Sequence, residues 1–141
     1  MKIAVDTSVW IDYFRGADTA ATRMLDSLLC LYGPDAPELL IPDVALMEFL
    51  RGFTQPAQLK QANELLAPIT VVNTGGETLA RKAAHIYRDL RTRGITVRSA
   101  MDLLIGAWCI EQRVALLHAD RDFDGMATHH GLRVLSTVPA R

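Results

Sequence analysis

Cysteine is scarce in this chain: Cys30 and Cys109 are the only two among 141 residues. So few exclude a disulfide-framed secreted scaffold, and their spacing suggests no metal knuckle. Both read as reduced core thiols of a cytoplasmic protein. Long apolar runs are missing as well, so no segment is expected to cross a bilayer. The N-terminus lacks the successive charged, apolar and small-residue stretches of a signal peptide, since Asp6 and Asp12 interrupt it early. Neither sign of charge is in excess: 15 basic and 16 acidic residues leave a formal net charge of −1. Any affinity for a polyanion must therefore come from local patches of cations. Internal repeats, low-complexity tracts and interdomain linkers are absent too, which points to a single domain over residues 1–141.

What is present is an alternation of short buried runs with helical periodicity. Ile3-Ala4-Val5 reads as a strand buried on both faces and Leu39-Leu40-Ile41 as a second short buried strand, with Ile69-Thr70-Val71-Val72 and Val114-Ala115-Leu116-Leu117 as a third and a fourth. Leu132 to Leu135 reads as a last edge strand. Helices are expected after the first strand (Val9, Trp10, Tyr13, Phe14), over 17–31, around Val44 to Leu50, over 55–66, over 77–93 and over 99–113. A short one is expected over 122–130. Local signals set the boundaries. Thr7 and Ser8 offer capping hydroxyls, Pro42 suits a first helical turn, and Thr74-Gly75-Gly76-Glu77 matches a capping box. Strands alternating with helices predict an α/β fold, a parallel sheet of four to five strands with helices on both faces.

Acidic residues sit where such a fold places chemistry. Asp6 ends the first strand, and ligands of open α/β sheets lie beyond the carboxyl ends of strands. Asp102 lies in the first turns of a helix that is apolar nearly all round, where a carboxylate is costly unless paired, capped or bound to a cation. Read alone, it could close a Ser99-x-x-Asp102 capping box. Glu48 is embedded in Leu46-Met47-Glu48-Phe49-Leu50, with a solvent-facing role or a pairing with Arg51 as the plainer reading. Asp120, Asp122 and Asp124 follow the fourth strand, on the same edge as Asp6, and the residues alone do not rank them. Four elements can thus deliver carboxylates to one rim. Like charges there repel unless a cation joins them, and all-oxygen ligation selects Mg²⁺ or Mn²⁺. Such a site best serves hydrolysis of phosphodiesters.

Cations are available nearby. Arg81, His85 and Arg88 lie opposite the apolar stripe of the 77–93 helix, and Arg98 precedes Asp102 closely. They are either an ordinary solvated face or a means of steering phosphate, with Arg98 best placed for the second role. The four histidines share no ligand spacing. Trp10 and Trp108 fit apolar faces, as core or dimer-contact residues.

Val5-Asp6-Thr7-Ser8-Val9-Trp10-Ile11-Asp12, Glu48 with Gly52 downstream, Asp102-Leu103-Leu104-Ile105-Gly106-Ala107 and His118-Ala119-Asp120-Arg121-Asp122-Phe123 resemble, in order, the motifs of the PIN-domain family. More narrowly, they are similar to the VapC toxins of VapBC toxin–antitoxin pairs. The resemblance implies a three-layer α/β/α fold and a Mg²⁺- or Mn²⁺-dependent endoribonuclease. It makes Asp6, Glu48, Asp102 and Asp120 the catalytic and metal-binding acids, with Ser8 orienting the first of them. Asp122 is the nearby aspartate preceding the phenylalanine, and family members often carry Thr or Ser where His118 stands. The resemblance also implies a homodimer, an RNA substrate and a cognate VapB-like antitoxin that fills the groove.

Two other classes compete. A Mg²⁺-binding receiver module needs a phosphoacceptor aspartate at a third strand end and a lysine at a later one. Only Lys2, Lys60 and Lys82 exist, none of them after a late strand. A dehalogenase-type phosphatase needs a second aspartate where Ser8 stands. A catalytically silent PIN fold acting through protein partners is the remaining alternative, and it would carry several costly carboxylates to no purpose.

Overall fold

The computed structural model describes residues 1–135, so the last positions of the expected 1–141 domain lie outside the described residues. β1 (Lys2–Val5), β2 (Glu38–Pro42), β3 (Thr70–Val72) and β4 (Ala115–Leu117) form one sheet of order β3-β2-β1-β4. Every pairing is parallel, with Ile3 opposite Leu39 on one side and Ala115 on the other. Ile3, Ala4 and Val5 have no exposure, as befits a strand covered on both faces. The expected last strand is a correction. Val134 makes one isolated bridge to Leu116, so four strands are formed among the described residues. Two hydrogen bonds flank that bridge, from the Leu116 N–H to the Arg133 carbonyl and from the Leu135 N–H to the Leu116 carbonyl (both 2.9 Å), and they hold the segment beside β4 without a longer ladder among the described residues.

Helices α1 (Thr7–Phe14), α2 (Ala20–Leu29), α3 (Asp43–Leu50), α4 (Pro56–Leu66), α5 (Glu77–Thr92), α6 (Ala100–Gln112) and α7 (Asp124–His129) fill the crossovers and the end of the described chain. The three-layer α/β/α architecture is the one expected. An apolar cluster built on Trp10, Phe14, Phe49 and Phe53 joins α1 to α3 and the turn after it, with ring centroids 4.8–6.5 Å apart. Trp10 is thus a core residue, and Trp108 packs against the core from a half-buried position. Cys109 is buried as expected. Cys30 is not a core thiol: it is exposed, because α2 ends at Leu29 and the chain turns outward.

Several caps differ from expectation, each for a local reason. Helix α1 is capped by the Asp6 carboxylate, which accepts the Ser8 N–H, rather than by the Thr7 or Ser8 hydroxyls. Helix α2 starts later than expected because Thr19 and Thr22 form a reciprocal capping box. Pro42 closes β2, paired opposite Val72, instead of opening the next helix. The Thr74–Glu77 capping box does not form. Thr74 is fully buried and gives its N–H and hydroxyl to Asp43 Oδ1 (3.0 and 2.6 Å), which also accepts the Val44 N–H at 2.9 Å. The end of β3 is thereby tied to the start of α3, and α5 begins instead at Gly76, whose φ of 102° suits glycine. At Gly106 α6 meets α7 closely: a Cβ there would stand 2.3 Å from Met126 Sδ, so any side chain would require the flexible end of Met126 to move.

The strand order fixes where a site can lie. From β1 the chain moves to β2 and β3 on one side, then crosses back to β4 on the other. The switch point falls between β1 and β4, where ligands bind beyond the carboxyl ends in sheets of this kind. Asp6 follows β1, residues 118–122 follow β4, and the Asp6 N–H donates to the Leu117 carbonyl at 3.0 Å.

Candidate active site

Asp6 is 2% exposed. Its Oδ2 accepts the Ser8 N–H at 3.0 Å and the Ser8 hydroxyl at 2.6 Å, while its buried Oδ1 has no hydrogen-bond donor. Burial raises its carboxyl above the ordinary aspartate range, and the Ser8 bonds offset part of that cost. Ser8 also bridges two strand ends, because its Oγ accepts the Ala119 N–H at 3.1 Å and so joins the β1 exit to the β4 exit. One side chain therefore sets the orientation of Asp6 and the spacing of the two strand ends.

Glu48 reaches the same rim from α3. The Thr7 hydroxyl stands 3.1 Å from its Oε1 and 3.2 Å from the Ala45 carbonyl, so one proton serves two acceptors. Burial and the charges of Asp6 and Asp120 raise the Glu48 carboxyl, whereas Thr7 and Arg51 oppose the rise. Thr7 was not singled out from the sequence. Its place between Asp6 and Ser8 was the available signal.

Asp102 enters from the first turn of α6 and is 5% exposed. Ser99 makes no side-chain cap bond, so the Ser99-x-x-Asp102 box is not formed. Burial, the charge of Asp6 and the proximity of Asp122 and Asp120 push its carboxyl up to about 8. One oxygen from each of Asp102, Asp120 and Asp122 can be chosen so that all lie within 4.8 Å of one another.

Asp120 and Asp122 hold different bonds. Asp120 Oδ1 accepts the Asp122 N–H at 2.9 Å, opening the 3-10 turn Arg121–Phe123. Asp122 Oδ2 accepts the backbone N–H groups of Arg98 and Ser99 at 3.2 and 3.1 Å, latching the turn before α6 to the turn after β4. His118 accepts the Asp120 N–H on Nδ1 at 3.2 Å and lies against Phe123 with ring centroids 4.9 Å apart. Burial keeps it neutral by lowering its basicity, against the pull of Asp6, Asp124 and Asp120. A Thr or Ser hydroxyl could do similar loop-ordering work at that position.

Arg98, Arg121, Ser99, Asp120 and Asp122 line a cleft of about 490 Å³. Arg81 and Arg88 stand exposed on α5 outside that lining, and Arg81 is engaged by Glu77 at 2.8 Å. Arg121 was not singled out from the sequence, although it lies between two of the acids. The fold thus gathers Asp102, Asp120 and Asp122 directly, with Asp6 and Glu48 near enough for their charges to be felt.

These residues fit a hard divalent cation. The donors are all carboxylate oxygens, one of them buried with no donor, and their mutual repulsion is what such an ion relieves.

Comparison with known proteins agrees with the geometry. A family model described as PIN domain matches residues 3–128. Among curated relatives, VapC ribonuclease Mb1587 of Mycobacterium bovis is 32% identical over 134 residues, covering 95% of this chain and 98% of that protein. Ribonuclease VapC11 of Mycobacterium tuberculosis matches at the same identity and coverage. In fold, the chain is similar to VapBC2 from Rickettsia felis, solved bound to a promoter DNA fragment, with a TM-score of 0.75 at 14% identity over 98% of this chain and 100% of that one. It is also similar to VapBC-5 from M. tuberculosis, with a TM-score of 0.67 at 23% identity over 95% and 97% of the two chains. The motifs, the four-strand parallel sheet and these matches agree: the chain belongs to the PIN-domain family.

Proposed function

We propose that this chain is a metal-dependent endoribonuclease, the toxin of a toxin–antitoxin pair, built as one domain. The observation that supports the reading is the clustering of the Asp102, Asp120 and Asp122 carboxylates, with Asp6 and Glu48 close enough to feel the same charges and the Asp102 carboxyl pushed up to about 8 first by burial and then by its acidic neighbours. Asp6, Asp102 and Asp120 hold Mg²⁺ or Mn²⁺, with Glu48 completing the acid set. When bound, the ion supplies positive charge to phosphoryl oxygens and makes water acidic at neutral pH. Ser8 fixes the rotamer of Asp6, and Thr7 restrains Glu48. Asp122 serves as a latch, since one of its oxygens is spent on two backbone N–H groups. Arg98 offers its guanidinium to the RNA backbone, and Arg81 and Arg88 contribute at longer range. A silent binding fold would gain stability by losing these acids, so their presence supports catalysis.

The relatives named VapC ribonuclease support RNA as the substrate, and the VapBC complexes among the structural neighbours support an antitoxin partner. An apolar groove of about 240 Å³, formed by Ile11, Phe14, Phe49 and Phe53 and reaching Glu48, suits an antitoxin segment. The protein acts as a homodimer in the cytoplasm; no helix among the described residues is long and apolar enough to cross a membrane.

The test is cleavage of total RNA, abolished by EDTA and restored by Mg²⁺ or Mn²⁺, beside an Asp6→Asn protein. Loss of cleavage in a folded Asp6→Asn variant is expected. Undiminished cleavage by that variant would refute the assignment.

A further inference from the structure

The cations of this protein divide into those that are already satisfied and those that are not. Arg15, Arg23, Arg81, Lys82 and Arg93 each form an ion pair with an aspartate or glutamate. Arg98 and Arg121 form none among the described residues, although they border the densest group of acids in the molecule. Both are exposed, and both line the cleft that Asp120 and Asp122 also line.

Their backbones are anchored even though their side chains are free. The Arg98 N–H is bound to Asp122 Oδ2 at 3.2 Å. Arg121 is the first residue of a 3-10 turn whose entry is fixed by Asp120, which accepts the Asp122 N–H at 2.9 Å. The same two aspartates thus anchor the backbones that carry both arginines into the cleft lining. A third cation stands just outside. Arg91 donates to the Thr96 hydroxyl at 2.9 Å, and Thr96 also lines the cleft.

Two unpaired guanidiniums lining one cleft suit a ligand with several anionic oxygens, since each can offer two parallel N–H groups to a phosphate. Carboxylates at the cleft floor would repel a polyanion, so an approach along the rim needs cations placed as these are. We infer that Arg98 and Arg121 together clamp RNA phosphates flanking the bond that is cut, with Arg91 extending the track outward. This rests on the nuclease reading and adds the side from which the strand enters: over the turn before α6.

The test compares Arg98→Gln, Arg121→Gln and the double variant with Lys2→Gln. Lys2 is the exposed first residue of β1, at the opposite end of the parallel sheet, so its loss changes net charge equally without touching the cleft. The substrate is an RNA oligonucleotide spanning a site mapped from total RNA cut by the parent protein. Each arginine variant is expected to raise KM about three- to tenfold, with kcat within about twofold, since positioning phosphates mainly sets affinity. The slope of log kcat/KM against log salt should flatten by about 0.7 per arginine removed, the value for single strands. Lys2→Gln should match the parent in both readouts. The Mg²⁺-induced rise in melting temperature should be undiminished in every variant, because none removes a carboxylate.

If the parent cuts RNA but the arginine variants match it in KM and salt slope, the clamp is overturned and the nuclease reading stands. If Lys2→Gln flattens the slope as much as they do, bulk charge explains binding and the clamp is again overturned. If the parent leaves RNA intact with either metal, the nuclease reading fails and takes the clamp with it.

Discussion

Removing a carboxylate from the centre of the site should make the metal-free protein more stable, in a way that depends on pH. The perturbation is Asp102→Asn, which keeps the shape of the side chain. In the folded protein the Asp102 carboxyl is raised from 3.8 to about 8, first by burial and then by the charge of Asp6. A shift of that size has a ceiling of about 6 kcal/mol, at about 1.4 kcal/mol per pK unit. The site opens into a water-filled cleft, so screening brings the effect to about 2–3 kcal/mol.

The sign follows from proton counting. Between the unfolded and folded values the native state keeps a proton that the unfolded state has lost, so stability falls as pH rises from about 4 to about 8 and levels off above that. The raised carboxyls of Asp6 and Glu48 steepen the same descent. Thermal melts in EDTA should therefore show the parent losing stability from pH 5 to pH 8. Asp102→Asn should be spared much of that loss, melting about 5–10 °C above the parent at pH 8 and much closer to it at pH 5. Magnesium should invert the comparison. At about 100 times its dissociation constant the ion adds about 2.7 kcal/mol to the parent, and the variant should gain little of this. A variant no more stable than the parent at pH 8 in EDTA, or one with an undiminished Mg²⁺ response, would refute the account of the acids as a repelling set relieved by a cation.

Two further outcomes follow from particular hydrogen bonds. Thr7→Val removes the donor 3.1 Å from Glu48 Oε1 at constant volume, so RNA cleavage should need more Mg²⁺ for half-maximal rate, and Thr7→Ser should restore the parent's requirement. Thr74→Val should lower stability by about 1–3 kcal/mol in denaturant melts, since it takes the hydroxyl at 2.6 Å from Asp43 in a fully buried setting.

The sheet was legible because its central strands β1 and β2 are short apolar runs buried nearly throughout, a pattern that few other elements share. Residues 132–135 misled for the same reason: Leu132 and Leu135 look like a strand, yet strand formation depends on partners across the ladder, and only Val134 finds one. Helix existence was readable from period, and the starts of α4, α5 and α6 came within a residue, but the groups that cap them were not readable. Thr74 reads as a cap by spacing, but its hydroxyl is claimed by Asp43, thirty-one positions earlier. Cys30 shows a similar limit, since a boundary two residues out moves a thiol from core to surface. At the site, each acid could be proposed from its apolar surroundings or its strand-end position. The partners that orient them could not. Thr7 with Glu48, Ser8 with Ala119 and Asp122 with Arg98 are contacts between elements, visible only once the sheet has brought the loops together.

Those contacts follow a common rule. Asp6 commits Oδ2 to Ser8 and leaves Oδ1 without a donor. Asp120 commits Oδ1 to the Asp122 N–H, and Asp122 commits Oδ2 to the backbone of Arg98 and Ser99. Each of the three spends one oxygen on building the rim, and at Asp6 the other is left buried with no donor. Had both oxygens been satisfied, the carboxylates would be stable and chemically idle. Had neither been held, the like charges that add to burial in lifting Asp102 to about 8 would rotate them apart. Dividing each carboxylate between structure and ligand keeps the like charges together at a tolerable cost, so the local instability is a direct consequence of the arrangement that binds a cation.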